Sequence, residues 1–375
     1  MEDNLQNIPD ILRRLSYDCS HLERLSGGTA NFVFRGTLDR DSVIVKHTKD
    51  YIASNRDFKL PAERCLIEEY ILKSLGDFPP TTAPTTAPPT TSSTIIVKTP
   101  RLLAFDRPSY TQVMEDLPKS VDLKTLLTNP EISSRIDRPW ATSLGAALGQ
   151  WLGSFHAWTA ESAQTELVRS MEENELMRDL KFSINYENVV GLVDKYPGLL
   201  SDSRGVFEEV RDQARNELGR KDVEGAAFGV IHGDFWSGNV LIPKDILDQQ
   251  QQNPNTNMPL FVIDWELAQC GARALDLGQM MAELYFVKHF RDVDAGPWII
   301  EGLARSYPHL TEAMAYRAAI HVGVHFICFG TMITDWGSEE QVRGVVALGR
   351  DLIVKGWRRE RDWFEGGFWK CLFQG

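Results

Sequence analysis

Three polar residues in the second half of the chain have the types and spacing that phosphoryl transfer requires. Asp234 and Asn239 lie five residues apart in a Gly-containing loop within Ile231–Ile242, and Asp264 ends a later apolar run. In phosphoryl transfer one carboxylate accepts the proton of the attacking hydroxyl, while an amide and a second carboxylate hold magnesium on the phosphates. We therefore predict Asp234 as catalytic base, with Asn239 and Asp264 as Mg²⁺ ligands. The competing hypothesis is that Asp234 and Asn239 only stabilise a turn.

A glycine pair near the N-terminus could cover the phosphates of a nucleotide. Alternating apolar residues on both sides of Gly27 and Gly28 predict a β-hairpin. Glycines let the backbone approach a ligand closely, and Thr29 and Asn31 add polar hydrogens. A Gly-Gly hairpin by itself is more often structural, so this prediction depends on the rest of the site.

A lysine and a glutamate predict a buried ion pair in the same region. Lys46 lies near the end of a strand predicted over residues 42–47, and Glu68 lies on a helix predicted over residues 61–75. Glu68 shares the face of this helix with leucines that must be buried. Because a carboxylate on a buried face needs a cation, we predict that Lys46 is its partner.

Two segments of biased composition interrupt this pattern of elements. Residues 77–94 are rich in Pro, Thr and Ala and predict a disordered insertion, while residues 245–258 are rich in Gln and Asn and predict a flexible one. Strand signals dominate before residue 116 and helical periodicity dominates after it. We predict an N-terminal nucleotide-binding lobe of residues 1–116 and a catalytic, substrate-binding lobe of residues 117–375.

The composition argues against several other classes of protein. The chain has 375 residues with 40 Lys and Arg against 52 Asp and Glu, a formal net charge of −12. This balance argues against a nucleic-acid binder, which carries a basic patch. The N-terminus is too polar for a signal peptide, and no apolar run reaches the roughly 18 residues of a membrane span. We expect a cytoplasmic protein with reduced cysteines and no membrane partner, and the sequence does not indicate an oligomeric state.

The motifs together resemble the aminoglycoside phosphotransferase and choline kinase superfamily. The matching segments are LSGGTANFVFRG, VIVK, VMEDLP, LGQWLGSFH, HGDFWSGNVLI, IDWE and RALDLGQ, in the expected order. The N-terminal segments SVIVKHTKDYIA and RCLIEEYIL are most similar to 5-methylthioribose kinases. The resemblance implies an α+β, two-lobed, protein-kinase-like fold. Its N-terminal lobe would be an antiparallel β-sheet with one helix, and its larger C-terminal lobe would be mainly helical.

The resemblance also implies roles for individual residues. His232 and Asp276 would brace the catalytic loop, and the acceptor would lie near Asp234, Trp236 and Glu266. Glu266 and the negative net charge favour a cationic acceptor. The residues expected to bind ATP, through the glycine loop, the lysine with its partner and the hinge, are Gly27, Gly28, Thr29, Asn31, Lys46, Glu68, Glu115 and Leu117.

Two departures from the protein-kinase pattern indicate a different acceptor. Trp236 stands where kinases that act on Ser or Thr carry a lysine, and Trp265 and Glu266 follow Asp264 in place of Phe-Gly. We therefore predict an ATP- and Mg²⁺-dependent phosphotransferase that acts on a hydroxyl of an aminoglycoside-like, amino-alcohol-like or sugar-like small molecule. The alternative is a nucleotide-binding pseudokinase without turnover, although the lysine, the base and both metal ligands are present.

Overall fold

The computed structural model describes the chain except for residues 1–6, 26–29, 85–93, 219–226, 254–255, 333–335 and 375. In chain order the strands are β1 (His21–Arg24), β2 (Phe32–Thr37), β3 (Ser42–His47), β4 (Tyr51–Ile52), β5 (Asn55–Lys59), β6 (Thr81–Pro84), β7 (Thr94–Lys98), β8 (Leu102–Asp106), β9 (Thr111–Glu115), β10 (Ser120–Asp122), β11 (Phe228–Ile231), β12 (Val240–Pro243), β13 (Met258–Val262) and β14 (Gln269–Ala272).

The α-helices account for most of the second half of the chain. They are α1 (Ile8–Arg14), α2 (Arg64–Ser74), α3 (Leu123–Thr128), α4 (Pro130–Ser133), α5 (Arg138–Trp158), α6 (Thr165–Glu172), α7 (Glu175–Phe182), α8 (Asn188–Gly191), α9 (Pro197–Leu200), α10 (Arg204–Leu218), α11 (Ile246–Gln252), α12 (Ala274–Arg291), α13 (Ala295–Ser306), α14 (Glu312–Gly330), α15 (Glu339–Trp357) and α16 (Arg361–Glu365).

An antiparallel sheet of five strands, in the order β1-β2-β3-β9-β8, forms the N-terminal part of the fold. β1 and β2 pair antiparallel, which confirms the predicted hairpin. Val43 and Val45 on one face of β3 pack against Ile8 and Leu12 of α1. Since side chains alternate along a strand, Lys46 leaves β3 on the opposite face. This part of the fold therefore has α1 in addition to the one helix, α2, that the resemblance implies.

A second five-stranded sheet, in the order β10-β12-β13-β7-β6, draws strands from both sides of residue 116. β7 pairs parallel to β13, and β6 pairs antiparallel to β7. Part of the segment predicted to be disordered, residues 77–94, is therefore a strand in which Ala83 is buried. The rest of that segment, residues 85–93, lies outside the described residues, and the lobe boundary at residue 116 stays a prediction.

The segment over residues 245–258 also differs from the flexible insertion that its composition predicts. Residues Ile246–Gln252 form α11, and Ile246 is fully buried. Trp140 Nε1 donates a hydrogen bond of 2.9 Å to Gln250 Oε1. One buried apolar side chain and this polar contact hold the helix against the rest of the fold, and residues 254–255 lie outside the described part.

The helical part of the fold packs an aromatic cluster beneath the predicted catalytic segments. Trp151 of α5 stacks on Phe235, with ring centroids 5.9 Å apart, and meets Trp265 edge-on at 6.1 Å. All three side chains are fully buried, and burial of one large apolar side chain contributes about 1.5–3 kcal/mol. The apolar residues next to Asp234 and Asp264 therefore anchor both segments to the core.

One described helix, α14, is long and apolar enough to cross a membrane by length and composition. Within its most apolar window, however, 83% of the residues are buried inside the protein. This is the arrangement of a core helix in a globular protein.

Because of the histidine at the centre of α14, we predict a specific loss of stability in acid. His321 is fully buried, and burial, with the nearby charges of Lys181 and Arg317, holds its pKa well below the usual value. The unfolded chain therefore takes up a proton below about pH 6.5 that the folded protein does not, so stability is present above that pH and lost below it. Each pH unit below 6.5 should cost up to about 1.4 kcal/mol.

Urea unfolding at pH 8, 7, 6 and 5 would measure this loss in the wild type and in His321→Gln. The variant should lose less stability between pH 7 and pH 5, because glutamine does not titrate. Other groups that titrate in this range affect both proteins alike. Equal losses in the two proteins would show that His321 is not responsible.

Candidate active site

The predicted catalytic loop between β11 and β12 has, at Gly233, a backbone shape that only glycine fits. Gly233 has a φ of +80°, and a Cβ added there would lie 2.1 Å from the carbonyl oxygen of Leu267. A side chain would therefore be both strained and in collision with the backbone. This turn leads the chain from the fully buried strand β11 to the partly exposed Asp234.

Asp276, on the first turns of α12, fixes the beginning of the loop. The backbone N–H of His232 donates to Oδ2 at 2.8 Å, and that of Gly233 donates to Oδ1 at 3.0 Å. His156 Nε2 lies 3.2 Å from the same Oδ2. Burial raises the pKa of Asp276, but these hydrogen bonds and the nearby histidines outweigh it, so the pKa lies below its usual value. The predicted brace by Asp276 is therefore present.

His232 connects the two segments that carry the predicted catalytic acids. The backbone N–H of Asp234 donates to Nδ1 at 3.2 Å, so Nε2 carries the ring proton and donates to the carbonyl oxygen of Ile263 at 3.0 Å. Burial lowers the pKa of His232, which agrees with this neutral form. His232 thus fixes the residue before Asp264 relative to Asp234, as a bracing residue should.

The carboxylate of Asp234 is oriented by two amide side chains. Asn239 Nδ2 donates to Oδ2 at 3.0 Å, and Gln279 Nε2 donates to Oδ1 at 2.6 Å. The buried Lys181 donates in turn to Gln279 Oε1 at 2.5 Å. Burial raises the pKa of Asp234, and the Lys181 charge opposes that shift. Neither Gln279 nor Lys181 was predicted, although Gln279 lies in the RALDLGQ segment, one turn beyond Asp276.

The second acid is held by the predicted lysine. Lys46 Nζ lies 2.5 Å from Asp264 Oδ1 and 2.8 Å from Glu68 Oε1, so the predicted Lys46–Glu68 ion pair is confirmed. Trp265 N also donates to Glu68 Oε1 at 3.1 Å. Burial raises the pKa of Glu68, whereas the Lys46 charge outweighs burial at Asp264 and lowers its pKa. Asp264 itself has a left-handed backbone, with a φ of 69°, a conformation that Asp tolerates better than most residues.

Glu266 does not face an acceptor. Only 2% of the residue is exposed, and its Oε2 accepts from Arg64 Nε at 3.0 Å and from Asn31 Nδ2 at 2.9 Å. Arg64 Nη2 donates to Asn31 Oδ1 at 2.9 Å and closes the triad. The expectation that Glu266 favours a cationic acceptor is therefore wrong, because Arg64 already neutralises it.

The same triad includes Asn31, one of the described residues of the predicted phosphate-covering loop. Asn31 is buried and tied to the segment after Asp264 through Glu266. Gly27, Gly28 and Thr29 lie outside the described residues.

The predicted hinge is anchored by charged side chains. Glu115 accepts from Lys98 Nζ at 2.9 Å, and Asp116 accepts from Arg35 Nε at 2.7 Å. These contacts fix residues 115 and 116, and the backbone N–H of Glu115 donates to the carbonyl oxygen of Arg101 at 2.9 Å. Binding of adenine by the backbone of Glu115 and Leu117 stays a prediction.

Asn239 and Asp264 present oxygen donors at adjacent positions. The backbone N–H of Ile263 donates to the carbonyl oxygen of Asn239 at 3.0 Å, which sets the two segments side by side. Because Asn239 Nδ2 donates to both the carbonyl oxygen and Oδ2 of Asp234, its amide oxygen is the atom left to coordinate a cation. Amide and carboxylate oxygens suit Mg²⁺, which takes its remaining ligands from water and phosphates. The residues present therefore fit this metal.

Known proteins resemble this chain in sequence and in fold. The sequence model of the phosphotransferase enzyme family (APH) matches residues 21–315. The phosphotransferase FrzJ of Cladobotryum sp. is 34% identical over 365 residues, which cover 94% of this chain and 92% of the relative. The 4-hydroxytryptamine kinase of Psilocybe cubensis is 25% identical over 334 residues, covering 87% and 85%. The solved structure of a Plasmodium vivax ethanolamine kinase matches with a TM-score of 0.50 at 12% identity, covering 94% of this chain and 86% of that one, and shows the same fold.

Proposed function

The chain belongs to the phosphotransferase enzyme family, and from this membership and the geometry of the site we propose that it transfers the γ-phosphate of ATP to a hydroxyl of a small molecule. The observation that carries the proposal is the continuous frame that positions both acids. His232 bridges the segments of Asp234 and Asp264, and Asp264 is bonded to Lys46. Positioning and charge neutralisation are what phosphoryl transfer demands of a protein.

In this proposal each residue of the frame has one role. Asp234, oriented by Asn239 and Gln279, accepts the proton of the acceptor's hydroxyl. Lys46, held by Glu68, binds phosphate oxygens, and Asn239 and Asp264 would hold Mg²⁺, which when bound neutralises charge on the phosphates. The backbone of Glu115 and Leu117 would bind adenine, and the loop of Gly27, Gly28, Thr29 and Asn31 would cover the phosphates.

Acceptor-dependent release of ADP tests the proposal against the pseudokinase alternative. ATP with Mg²⁺ should raise the melting temperature, and ADP release should increase when an acceptor from a panel of amino alcohols, hydroxylated aromatic amines, aminoglycosides and sugars is added. A pseudokinase would show the thermal shift without turnover for any acceptor. The relatives' names guide the panel, because one is a kinase of 4-hydroxytryptamine and a solved structure is an ethanolamine kinase.

Gln279→Leu tests the proposed orientation of the base. The substitution removes the donor to Asp234 Oδ1 and separates Lys181 from the base. Because a hydrogen bond to a charged group contributes about 1.5–3 kcal/mol, kcat should fall by about 10- to 100-fold while KM for ATP stays the same.

Gln213→Leu is a suitable control, because Gln213 is exposed on α10 and bonds only Glu217 among the contacts the structure describes. Steady-state kinetics of both variants would separate a positioning role from general loss of structure. An unchanged kcat in Gln279→Leu would contradict the proposed role.

A further inference from the structure

Two tryptophans and a glutamate surround the ammonium group of Lys124 beside the catalytic loop. Lys124 Nζ lies 4.9 Å from the ring centroid of Trp236 and 4.5 Å from that of Trp336. Glu283 Oε2 lies 3.3 Å from the same nitrogen. Aromatic faces with a carboxylate are groups that bind ammonium ions. We refer to Trp236, Trp336 and Glu283 as the cation box.

The carboxylate of the cation box is held in place by residues other than Lys124. Glu283 is 7% exposed, and its second oxygen lies 2.8 Å from His325 Nε2. The His325 ring is stacked on Phe329 at 4.3 Å, which fixes its orientation. Burial raises the pKa of Glu283, but His325 and Lys124 outweigh it and lower the pKa. Loss of Lys124 would therefore leave the Glu283 carboxylate in place, still hydrogen-bonded to His325 and able to bind another cation.

The cation box lies close to the proposed base. Trp236 follows Asp234 by two residues, and Glu283 follows Gln279, which bonds Asp234, by four residues on α12. Four residues of an α-helix rise about 6 Å. A small molecule could therefore place a hydroxyl at Asp234 and an ammonium group in the cation box.

Lys124 is attached so that it can leave this position. It lies on the short helix α3, and 24% of its side chain is exposed. A partly exposed lysine on a flexible stem can return its ammonium group to water when another cation takes its place. The Lys124 ammonium group, attached to the protein, thus competes with other cations for the cation box.

We propose that Trp236, Trp336 and Glu283 form a binding site for a small ammonium group and that Lys124 occupies it as an internal ligand. An acceptor with an ammonium group at this position must displace Lys124, so Lys124 weakens binding of such acceptors relative to neutral ones. The assignment of the cation box to the acceptor rests on the proposed function, whereas binding of ammonium to the box does not.

Calorimetric titration without ATP tests this inference, with tetramethylammonium as probe and tert-butanol as its neutral counterpart of similar shape. Lys124→Ala should bind tetramethylammonium at least tenfold more tightly than the wild type, with no comparable gain for tert-butanol. Lys124→Arg keeps a cation in the box and should show no gain. The double variant Lys124→Ala with Trp336→Ala should lose the gain in affinity for tetramethylammonium.

The melting temperature of each variant shows whether the fold is intact, and Lys124→Gln serves as a second neutral variant if the alanine protein is unstable. A folded neutral variant without a gain for tetramethylammonium, or with an equal gain for tert-butanol, would overturn the inference. Because this binding experiment needs no turnover, its failure is distinct from failure of the proposed function, which acceptor-dependent ADP release tests.

Discussion

Replacing Asp234 with asparagine should reduce turnover by about 100- to 10,000-fold, the range lost when a general base is removed. Asparagine has nearly the same shape, so the packing of Phe235 against Trp151 and the brace by Asp276 should persist. The amide cannot accept the acceptor's proton, whereas Lys46 and Asp264, which face the phosphates in our proposal, are unchanged. The expected result is loss of kcat with ATP binding retained.

Stopped-time assays of the phosphorylated product, together with thermal shifts by ATP and Mg²⁺, would measure both quantities. Asp212→Asn is the matched control, since Asp212 is an exposed acid on α10. Turnover near the wild-type level in Asp234→Asn would exclude Asp234 as the base.

Replacing Lys46 with methionine should lower activity about as much as Asp234→Asn does, and it should lower stability more. Glu68 is 1% exposed and would lose its cationic partner. Removal of one member of a buried ion pair costs about 3–5 kcal/mol, because an uncompensated charge remains. ATP binding should be lost as well, since Lys46 is the proposed phosphate ligand.

A double variant separates these two effects. Adding Glu68→Gln to Lys46→Met neutralises the buried carboxylate and should recover part of the stability without recovering turnover. Lys73→Met on the same helix is the control, because Lys73 is 62% exposed in its pair with Glu69 and such pairs contribute under about 1 kcal/mol. If urea unfolding shows that Lys46→Met is as stable as the wild type, the assignment of a buried ion pair is contradicted.

Local motifs made the centre of the candidate site recognisable in the sequence. Asp234 follows β11, Asn239 directly precedes β12 and Asp264 follows β13. Their positions therefore depend on elements next to them in sequence. The Lys46–Glu68 pair was predictable because helical periodicity placed Glu68 on a buried face that required a cation.

Contacts between distant segments could not be predicted in the same way. Arg64 neutralises Glu266 from 202 residues away, and nothing in the sequence near Glu266 indicates this partner. Lys181 reaches Asp234 only through Gln279, and Lys124 reaches Glu283 across 159 residues. Each of these pairs depends on how the helices pack, which single-sequence patterns do not specify.

Composition predicted disorder or flexibility in two segments that form regular secondary structure. The Pro- and Thr-rich residues Thr81–Pro84 form β6 because β7 offers an edge for pairing and Ala83 fits the core. The Gln-rich segment over residues 246–252 is helical for a related reason, since Ile246 is buried and Trp140 bonds Gln250. In both segments a few tertiary contacts outweigh the low average hydrophobicity.

Direct transfer of the γ-phosphate is the most decisive measurement. ATP labelled with heavy oxygen in its γ-phosphate would be incubated with the protein, Mg²⁺ and an acceptor, and the product analysed by mass spectrometry. Our account predicts an acceptor phosphate ester with labelled non-bridging oxygens and an unlabelled bridging oxygen from the acceptor's hydroxyl. With Asp234→Asn the ester should form about 100- to 10,000-fold more slowly. Labelled inorganic phosphate without any ester, across the acceptor panel, would contradict the proposed function.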